Sequence, residues 1–331
     1  MSAAGSVEFD SDSKSSRWSF VTEVWQVYGL IFLLQSASAA FTPTFQATIP
    51  DILPNEEEYT TALSLSRLAY DLESLLSPIL AAALLTVINF HWLFAGTSVG
   101  FVISAMLVVT SALPHREAAK KIVESVWRKT TRGARIYLRT PRLVGLLAVT
   151  LAAAAGSAMV IVNTVVIVKG MGRSQEDVAL ALAAYGGGSM LAALILPRVL
   201  RSISDRSVMI AGAFLLTATL SVFAMMTLGT AGLIAWPFLL GGWLVLGVTY
   251  SLSVTPGGRL LRRSSNEGDR PALFAAQFAL SHVCWLLAYP VAGQIGANSG
   301  MGVAFLALAA IAAIGTISAL WRWPELDPEE I

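Results

Sequence analysis

Nine long apolar stretches, separated by short polar breaks, constrain this chain more than any other feature of its sequence. Each stretch is long enough to cross a bilayer as a helix, for which about 20 apolar residues suffice. They are too long for barrel strands and show no alternation of period two. The sequence therefore predicts an all-α integral membrane protein with about nine transmembrane helices, at residues 24–49, 60–88, 91–113, 143–168, 178–200, 207–229, 231–255, 272–295 and 302–322.

The composition excludes several classes of protein. Hydrophobic residues make up 55% of the chain and charged residues only 13%, whereas an ordinary soluble domain has about 25% charged residues. With 22 basic and 21 acidic residues there is no overall positive field, which argues against a nucleic-acid-binding protein. The single cysteine, Cys284, excludes an intramolecular disulfide and a multi-cysteine metal site. We expect no metal and no cofactor.

The positions of the basic residues predict the orientation in the membrane, because cytoplasmic loops are enriched in Lys and Arg. Basic residues follow the third, fifth and seventh spans, whereas the intervening breaks contain little beyond Lys169 and Arg173. We therefore expect a plasma membrane protein (the inner membrane in a bacterium) with a cytoplasmic C-terminus and with the acidic break at residues 55–58 on the cytoplasmic side. The largest basic group follows the third span and consists of Arg116, Lys120, Lys121, Arg128, Lys129, Arg132, Arg135, Arg139 and Arg142.

An internal repeat relates the first three spans to the last three. Pro78 and Pro290 are 212 residues apart, and Pro43 and Pro256 are 213 apart. The three middle spans then have no counterpart, so the repeat predicts two six-helix halves of which the first lacks three helices. The predicted organisation is a disordered polar N-terminus at 1–20, a three-helix remnant at 21–113, a basic cytoplasmic linker at 114–142, a six-helix half-bundle at 143–322 and a cytoplasmic tail at 323–331.

Two segments resemble the major facilitator superfamily, whose members also have two six-helix halves in parallel orientation joined by a linker. Residues 32–85, FLLQSASAAFTPTFQATIPDILPNEEEYTTALSLSRLAYDLESLLSPILAAALL, are similar to helices four and five of its multidrug, siderophore and metal-resistance exporter branch. Residues 186–206, GGGSMLAALILPRVLRSISDR, resemble the C-terminal copy of its loop signature, with Gly187, Arg198, Asp205 and Arg206 as visible members. The resemblance covers residues 20–322, and it implies a fold in which helices one to three are missing.

The resemblance implies a secondary active transporter that exports a small amphipathic solute by alternating access, coupled to protons. Its partners would be that solute, protons and the lipid bilayer, with the missing N-terminal helices or another chain completing the bundle; nucleic acid is not expected. Because the missing helices would leave charges uncovered, the chain is predicted to be inactive in efflux by itself. The alternatives are a non-transporting membrane scaffold, or remnant of a transporter gene, and an intramembrane enzyme. No HExxH or GxSxG motif supports the enzyme.

Three ionisable residues within the second span are candidates for a substrate or ion pathway, since charges in a membrane are costly and often functional. Arg67 and Asp71 are four residues apart and share a helix face, so they can pair. Glu73 points elsewhere and is a candidate proton or cation site. The alternative is that the Arg67–Asp71 pair lies near the interface and fixes helix packing.

Polar residues on other spans are further pathway candidates: Gln35 and Gln46 on the first, Asn163 on the fourth, and Gln277 and His282 on the eighth. Each amide could bind a substrate or could equally bond a neighbouring helix. His282 is alone on its span, so a packing role competes with proton transfer.

A candidate gating loop follows the fifth span and comprises Gly187, Arg198, Arg201, Asp205 and Arg206. The resembling signature latches neighbouring helices in the outward-facing state. In this sequence Asp205 could accept from a helix N-terminus, and the arginines could bind carboxylates. The alternative is a basic cluster that only orients the helix. The glycines at 186–188 lack the Lys-Ser/Thr of a phosphate loop and favour close helix packing.

Overall fold

The computed structural model describes residues 24–110, 126–229 and 234–325, and every regular element in these ranges is helical. The contacts divide the chain into residues 1–42 and 43–331, and the first unit is described only by the N-terminal part of one helix. The helices are α1 (Val24–Ile52), α2 (Glu56–Leu85), α3 (Phe90–Thr110), α4 (Val126–Arg139), α5 (Pro141–Gly170), α6 (Gln175–Val199), α7 (Asp205–Gly229), α8 (Trp236–Val254), α9 (Gly257–Arg263), α10 (Arg270–Pro290), a π-helical turn (Val291–Ile295), α11 (Gly296–Ser299) and α12 (Met301–Arg322).

Each of the nine predicted spans overlaps a helix in the described ranges, although 111–113 of the third span and 231–233 of the seventh lie outside them. Within the part of the chain that the structure describes, seven helical segments are long and apolar enough to cross a membrane, at Trp92–Thr110, Pro141–Gly170, Gln175–Val199, Asp205–Gly229, Trp236–Arg263, Arg270–Ser299 and Met301–Arg322. The all-helical membrane fold is therefore confirmed, whereas a count of nine crossings stays a prediction. The two remaining spans, α1 and α2, have 29 and 30 residues. Helix α2 is continuous, but Arg67, Asp71 and Glu73 interrupt its apolar sequence.

The predicted domain boundaries stay a prediction. The proposed disordered segment at 1–20 lies outside the described residues, as do 114–125 of the linker and 326–331 of the tail. The described end of the linker forms α4. Pro43, one of the prolines that mark the repeat, lies inside α1 together with Pro50; a helix can continue through a proline where neighbouring groups satisfy the freed backbone.

Helix α5 forms the centre of the core. It packs against α12, α10, α8, α7 and α6. Of its most apolar 18-residue stretch, 72% is buried inside the protein. Small residues allow this density: Ala152, Ala153, Ala154 and Ala155 are completely buried. Such small-residue contacts are the usual means by which helices approach closely in lipid.

Glycines set the closest contact between helices, at the crossing of α6 and α8. A Cβ on Gly188 would lie 2.0 Å from the backbone oxygen of Leu244, and a Cβ on Gly247 would lie 1.9 Å from that of Tyr185. No side chain can be accommodated at either position without separating the helices. The expectation of close packing is therefore met at Gly188. It is not met at Gly187, where an added Cβ would have no neighbouring atom within 4 Å.

This contact predicts the effect of one added methyl group. Gly247→Ala should lower the free energy of unfolding by at least about 1–3 kcal/mol, because overpacking a filled interface forces the backbones apart. Gly241→Ala, on the same helix but with open space around its Cβ, is the matched control and should raise the free energy of unfolding by up to about 1 kcal/mol, because alanine favours the helix over glycine. Thermal unfolding in detergent measures both; equal midpoints for the two variants would contradict the packing described here.

Candidate functional site

The start of α2 presents carboxylates to the rest of the molecule. Asn55 precedes the helix and its Oδ1 accepts hydrogen bonds from the backbone amides of Glu57 and Glu58, at 2.8 and 3.3 Å. The acidic side chains of Glu56, Glu57 and Glu58 therefore occupy the first turn, where the helix dipole favours negative charge.

Four charged side chains form a closed cluster at this end of the protein, which we call the ion-pair network: Glu56, Asp205, Arg259 and Arg263. Arg259 Nε lies 3.1 Å from Asp205 Oδ1, and Arg263 Nη1 lies 3.2 Å from Asp205 Oδ2. The same arginines bind Glu56 Oε1, Arg259 through Nη2 at 2.6 Å and Arg263 through Nη2. Two carboxylates thus face two guanidinium groups, whose several donors allow each to bind both.

The network joins distant parts of the chain. Glu56 begins α2, Asp205 begins α7, and both arginines lie on the short helix α9. The Asp205 side chain is completely buried and that of Arg259 is 10% exposed. Arg259 Nη1 also donates to Thr60 Oγ1 at 3.0 Å. Buried charges of this kind need their partners, because removing one leaves the other desolvated.

Further contacts extend the network along the seam, by which we mean the contact between the start of α2 and the C-terminal helices α7 and α9. Arg262 donates to the Pro54 carbonyl and lies over the Tyr59 ring, and Arg270 pairs with Asp51. The Tyr59 hydroxyl donates to the Gly258 carbonyl at 3.3 Å. Burial raises the pKa of this hydroxyl despite the opposing effect of Arg262 and Arg270, so it remains a neutral donor.

A cleft of about 350 Å³ adjoins the network. It is lined by residues from the start of α2, the end of α6 and α9, namely Glu56, Glu57, Thr60, Thr61, Pro197, Leu200, Arg201 and Arg259. The cleft is partly open, and its lining is mixed: charged side chains of the network stand beside apolar Pro197 and Leu200.

A second polar cluster, the Arg67 cluster, lies deeper along α2. Arg67 Nη2 and Nε donate to Asp71 Oδ1 and Oδ2 at 2.6 and 3.2 Å. Arg67 Nε also donates to Ser189 Oγ on α6 at 3.1 Å, and its guanidinium carbon lies 4.8 Å from the Tyr250 ring centre. The predicted pairing of Arg67 with Asp71 therefore exists, and the pair also contacts the C-terminal helices.

Glu73 is separate from this cluster. Its side chain is exposed, and it lines an open cavity of about 280 Å³ with Tyr70, Ser74 and Ser77. Among the described residues there is no group of three His, Cys, Asp or Glu side chains that could hold a metal ion.

The other pathway candidates are dispersed. Buried Asn163 Nδ2 donates to the Ala292 carbonyl at 3.1 Å, in the π-helical turn, and Gln277 Oε1 accepts from the Tyr137 hydroxyl. His282 is exposed, with Nδ1 2.7 Å from the Phe278 carbonyl. Gln35 and Gln46 are exposed on α1. The bonds of Asn163 and Gln277 match the interhelical alternative that the sequence left open.

Only one residue of the predicted gating loop enters the ion-pair network, and that is Asp205. Arg206 Nε donates to the Trp323 carbonyl at 3.2 Å. Exposed Arg201 lies 3.5 Å from Glu57, Arg198 is exposed, and Gly187 is half-buried. The basic partners of Asp205 come from α9, which sequence reasoning used only for orientation.

A model of the Major Facilitator Superfamily matches the chain at residues 16–172 and again at 145–330. The two matches together cover nearly the whole sequence. The chain belongs to the major facilitator superfamily. Members of this superfamily are membrane transporters and not typically enzymes, and the family together with the apolar helices identifies an integral, multi-pass membrane protein. No curated protein matches the chain.

The sequence did not predict several of the residues that form the ion-pair network and the Arg67 cluster. Arg259 and Arg263 are four residues apart and so share a face of α9, a signal that was visible in the break RLLRRSSNEGDR. Ser189 and Tyr250 carried no signal, because no spacing in the sequence relates either of them to Arg67. Their proximity to Arg67 depends on how α6 and α8 pack.

Asp205→Asn tests the buried centre of the network. The substitution removes the charge that faces Arg259 and Arg263, so it should lower the free energy of unfolding by about 3–5 kcal/mol. Glu57→Gln is the matched control, because the Glu57–Arg201 pair is 68% and 63% exposed and should contribute less than about 1 kcal/mol. Chemical unfolding in detergent measures both; an equal effect of the two substitutions would show that burial of Asp205 is unimportant.

Proposed function

We propose that the protein is a secondary active transporter that exports a small amphipathic solute by alternating access, coupled to protons. Its superfamily supports transport, and the ion-pair network carries the proposal. The network spans the seam between α2 and the C-terminal helices α7 and α9, so it can hold that end of the protein closed. Breaking it would let the cleft of about 350 Å³ beside Arg259 widen.

Charge neutrality favours a network that has two states, closed and open. In the closed state two carboxylates neutralise two guanidinium groups in a largely buried setting. In the open state the four groups would lose their ion pairs but would be hydrated. The regained hydration offsets the lost attraction, so the two states are close in free energy. Such near-balance suits a gate that opens and closes in every cycle, with one half rocking against the other.

The Arg67 cluster is the proposed coupling site. Protonation of Asp71 would remove the charge that holds Arg67 and leave its guanidinium bound only to Ser189 and over Tyr250. Because α2 and α6 meet here, a change in the charge of Asp71 would reach the contact between the two halves. Glu73, in its open cavity, is the second candidate for proton or cation binding.

We further propose that additional helices, in cis or from another chain, cover part of α10. The repeat relates α2 to α10, and α2 packs against α6. The symmetry-related contact requires a helix like α6 against α10, where Ala275, Ala279, Val283 and Leu286 are exposed. A non-transporting scaffold is the alternative, and it is favoured by α3, whose apolar span has no buried residue.

The proposed orientation can be tested with reporter fusions. Fusions at Gly133 and Arg262 should report the cytoplasm, and a fusion at Arg173 should report the opposite side, because basic loops remain cytoplasmic. A fusion at Trp323 is the matched control for the predicted cytoplasmic C-terminus. A cytoplasmic signal at Arg173 would contradict the orientation.

Transport itself can be tested in proteoliposomes with an imposed pH gradient and a panel of fluorescent amphipathic dyes. We expect no gradient-dependent dye movement with the chain alone. Movement should appear when the first three helices of a complete superfamily exporter are fused to the chain or co-expressed with it, because they cover the exposed face of α10. An ionophore that dissipates the pH gradient should abolish the movement.

Two variants of the complemented protein separate coupling from general damage. Asp71→Asn should reduce gradient-driven movement at least tenfold, whereas Asp177→Asn, which alters an i,i+4 pair with Arg173 near the other end of α6, should retain it. Robust movement with the chain alone would contradict the need for further helices. No movement in any complemented form, with correct folding, would favour the scaffold.

A further inference from the structure

We propose that the outward face of α4 binds the phosphate headgroups of anionic bilayer lipids. Helix α4 is the described part of the basic linker and plays no part in the transport proposal above. The inference depends on which face of α4 is packed, which face is open, and where the helix lies relative to the membrane.

One face of α4 is docked on α10. A Cβ on Gly133 would lie 2.0 Å from the Ala272 backbone oxygen, so the two helices touch there. One turn later the completely buried Tyr137 donates to Gln277. The residue numbers rise together along the two helices, from Gly133 beside Ala272 to Tyr137 beside Gln277. Helix α4 therefore runs alongside the first turns of α10 in the same direction. This face is closed to any ligand.

The opposite face carries arginines at helical spacing. Arg132, Arg135 and Arg139 are three and four residues apart and therefore share one side of α4. Arg132 pairs with Asp269 at 2.8 Å, whereas Arg135 and Arg139 are exposed and have no acidic or hydrogen-bonding partner within the described ranges. Leu138, beside them, is 53% exposed.

The position of α4 is at the membrane surface. Arg142, on the first turn of α5, donates to Ser264 Oγ at 2.6 Å and to the Arg263 carbonyl at 3.0 Å, which places it at the level of the ion-pair network. Arg139 is three residues from Arg142 along the chain, and Arg135 lies one helical turn, about 6 Å, from Arg139. The headgroup layer is about 5–8 Å thick on each side of a bilayer.

This combination fits a lipid headgroup better than a soluble polyanion. The guanidinium groups of Arg135 and Arg139, one helical turn apart and without a partner among the described residues, can each donate two hydrogen bonds to phosphate oxygens. The exposed Leu138 next to them suits the boundary between headgroups and acyl chains, as on interfacial helices. A nucleic acid or acidic protein would require a larger basic surface that faces water.

Native mass spectrometry of the full chain in detergent, titrated with phosphatidylglycerol and with phosphatidylcholine, tests the proposal. The chain should bind phosphatidylglycerol more tightly than phosphatidylcholine. A double variant, Arg135→Gln with Arg139→Gln, should weaken phosphatidylglycerol binding about 25-fold, or about fivefold for each arginine removed. Arg135→Lys with Arg139→Lys should retain most of the binding, because the charge remains.

The matched control is Arg198→Gln with Arg322→Gln, which removes the same charge from exposed residues elsewhere at this end of the protein. It should leave the preference for phosphatidylglycerol unchanged; an equal loss in both double variants would overturn a specific site on α4. Displacement of the lipid by millimolar inorganic phosphate would indicate a site for a free anion and would also overturn the proposal. Circular dichroism establishes folding, and the single variant Arg139→Gln replaces the double variant if that is unfolded.

Discussion

The buried carboxylate of Asp205 is the constraint on which the charged end of the protein depends. It lies between Arg259 and Arg263 without contact with solvent, so both guanidinium groups must remain close to it. Those two groups then attract Glu56, and with it the first turn of α2. One desolvated charge therefore determines where α2, α7 and α9 meet. The same dependence makes this end responsive, because any change that hydrates the four groups removes the reason for the helices to converge.

The structure separates two kinds of helix contact by their chemistry. Around α5, at the centre of the C-terminal helices, the contacts are mainly apolar and depend on small residues, among them four consecutive buried alanines. Between α2 and those helices the contacts are largely polar, through the ion-pair network and the Arg67 cluster. Apolar contacts of this density have no alternative arrangement at low cost, whereas ion pairs can exchange protein partners for water. The polar seam is therefore where movement is least costly.

The sequence predicts contacts within a helix far better than contacts between helices. All nine apolar stretches coincide with helices, because apolarity over about 20 residues is a local property. The pairing of Arg67 with Asp71 was also predictable, since four-residue spacing places both on one face. The partners of Asp205 were not, because Arg259 and Arg263 follow it by more than fifty residues and their charges already had an explanation in membrane orientation. Ser189 and Tyr250 lie on other helices, far from Arg67 in the sequence, and gave no signal of their proximity to it.

The glycine contact between α6 and α8 has a mechanical consequence. With backbone against backbone at Gly188 and Gly247, these two helices cannot slide or tilt independently and behave as a single lever. One arm of this lever contacts α2 through Ser189, and the other continues past Pro256 into α9, which carries the arginines of the network. A displacement of α2 at Arg67 would thus move α6 and α8 together, and through the short turn at Thr255 and Pro256 it would be passed on to α9 and Arg259.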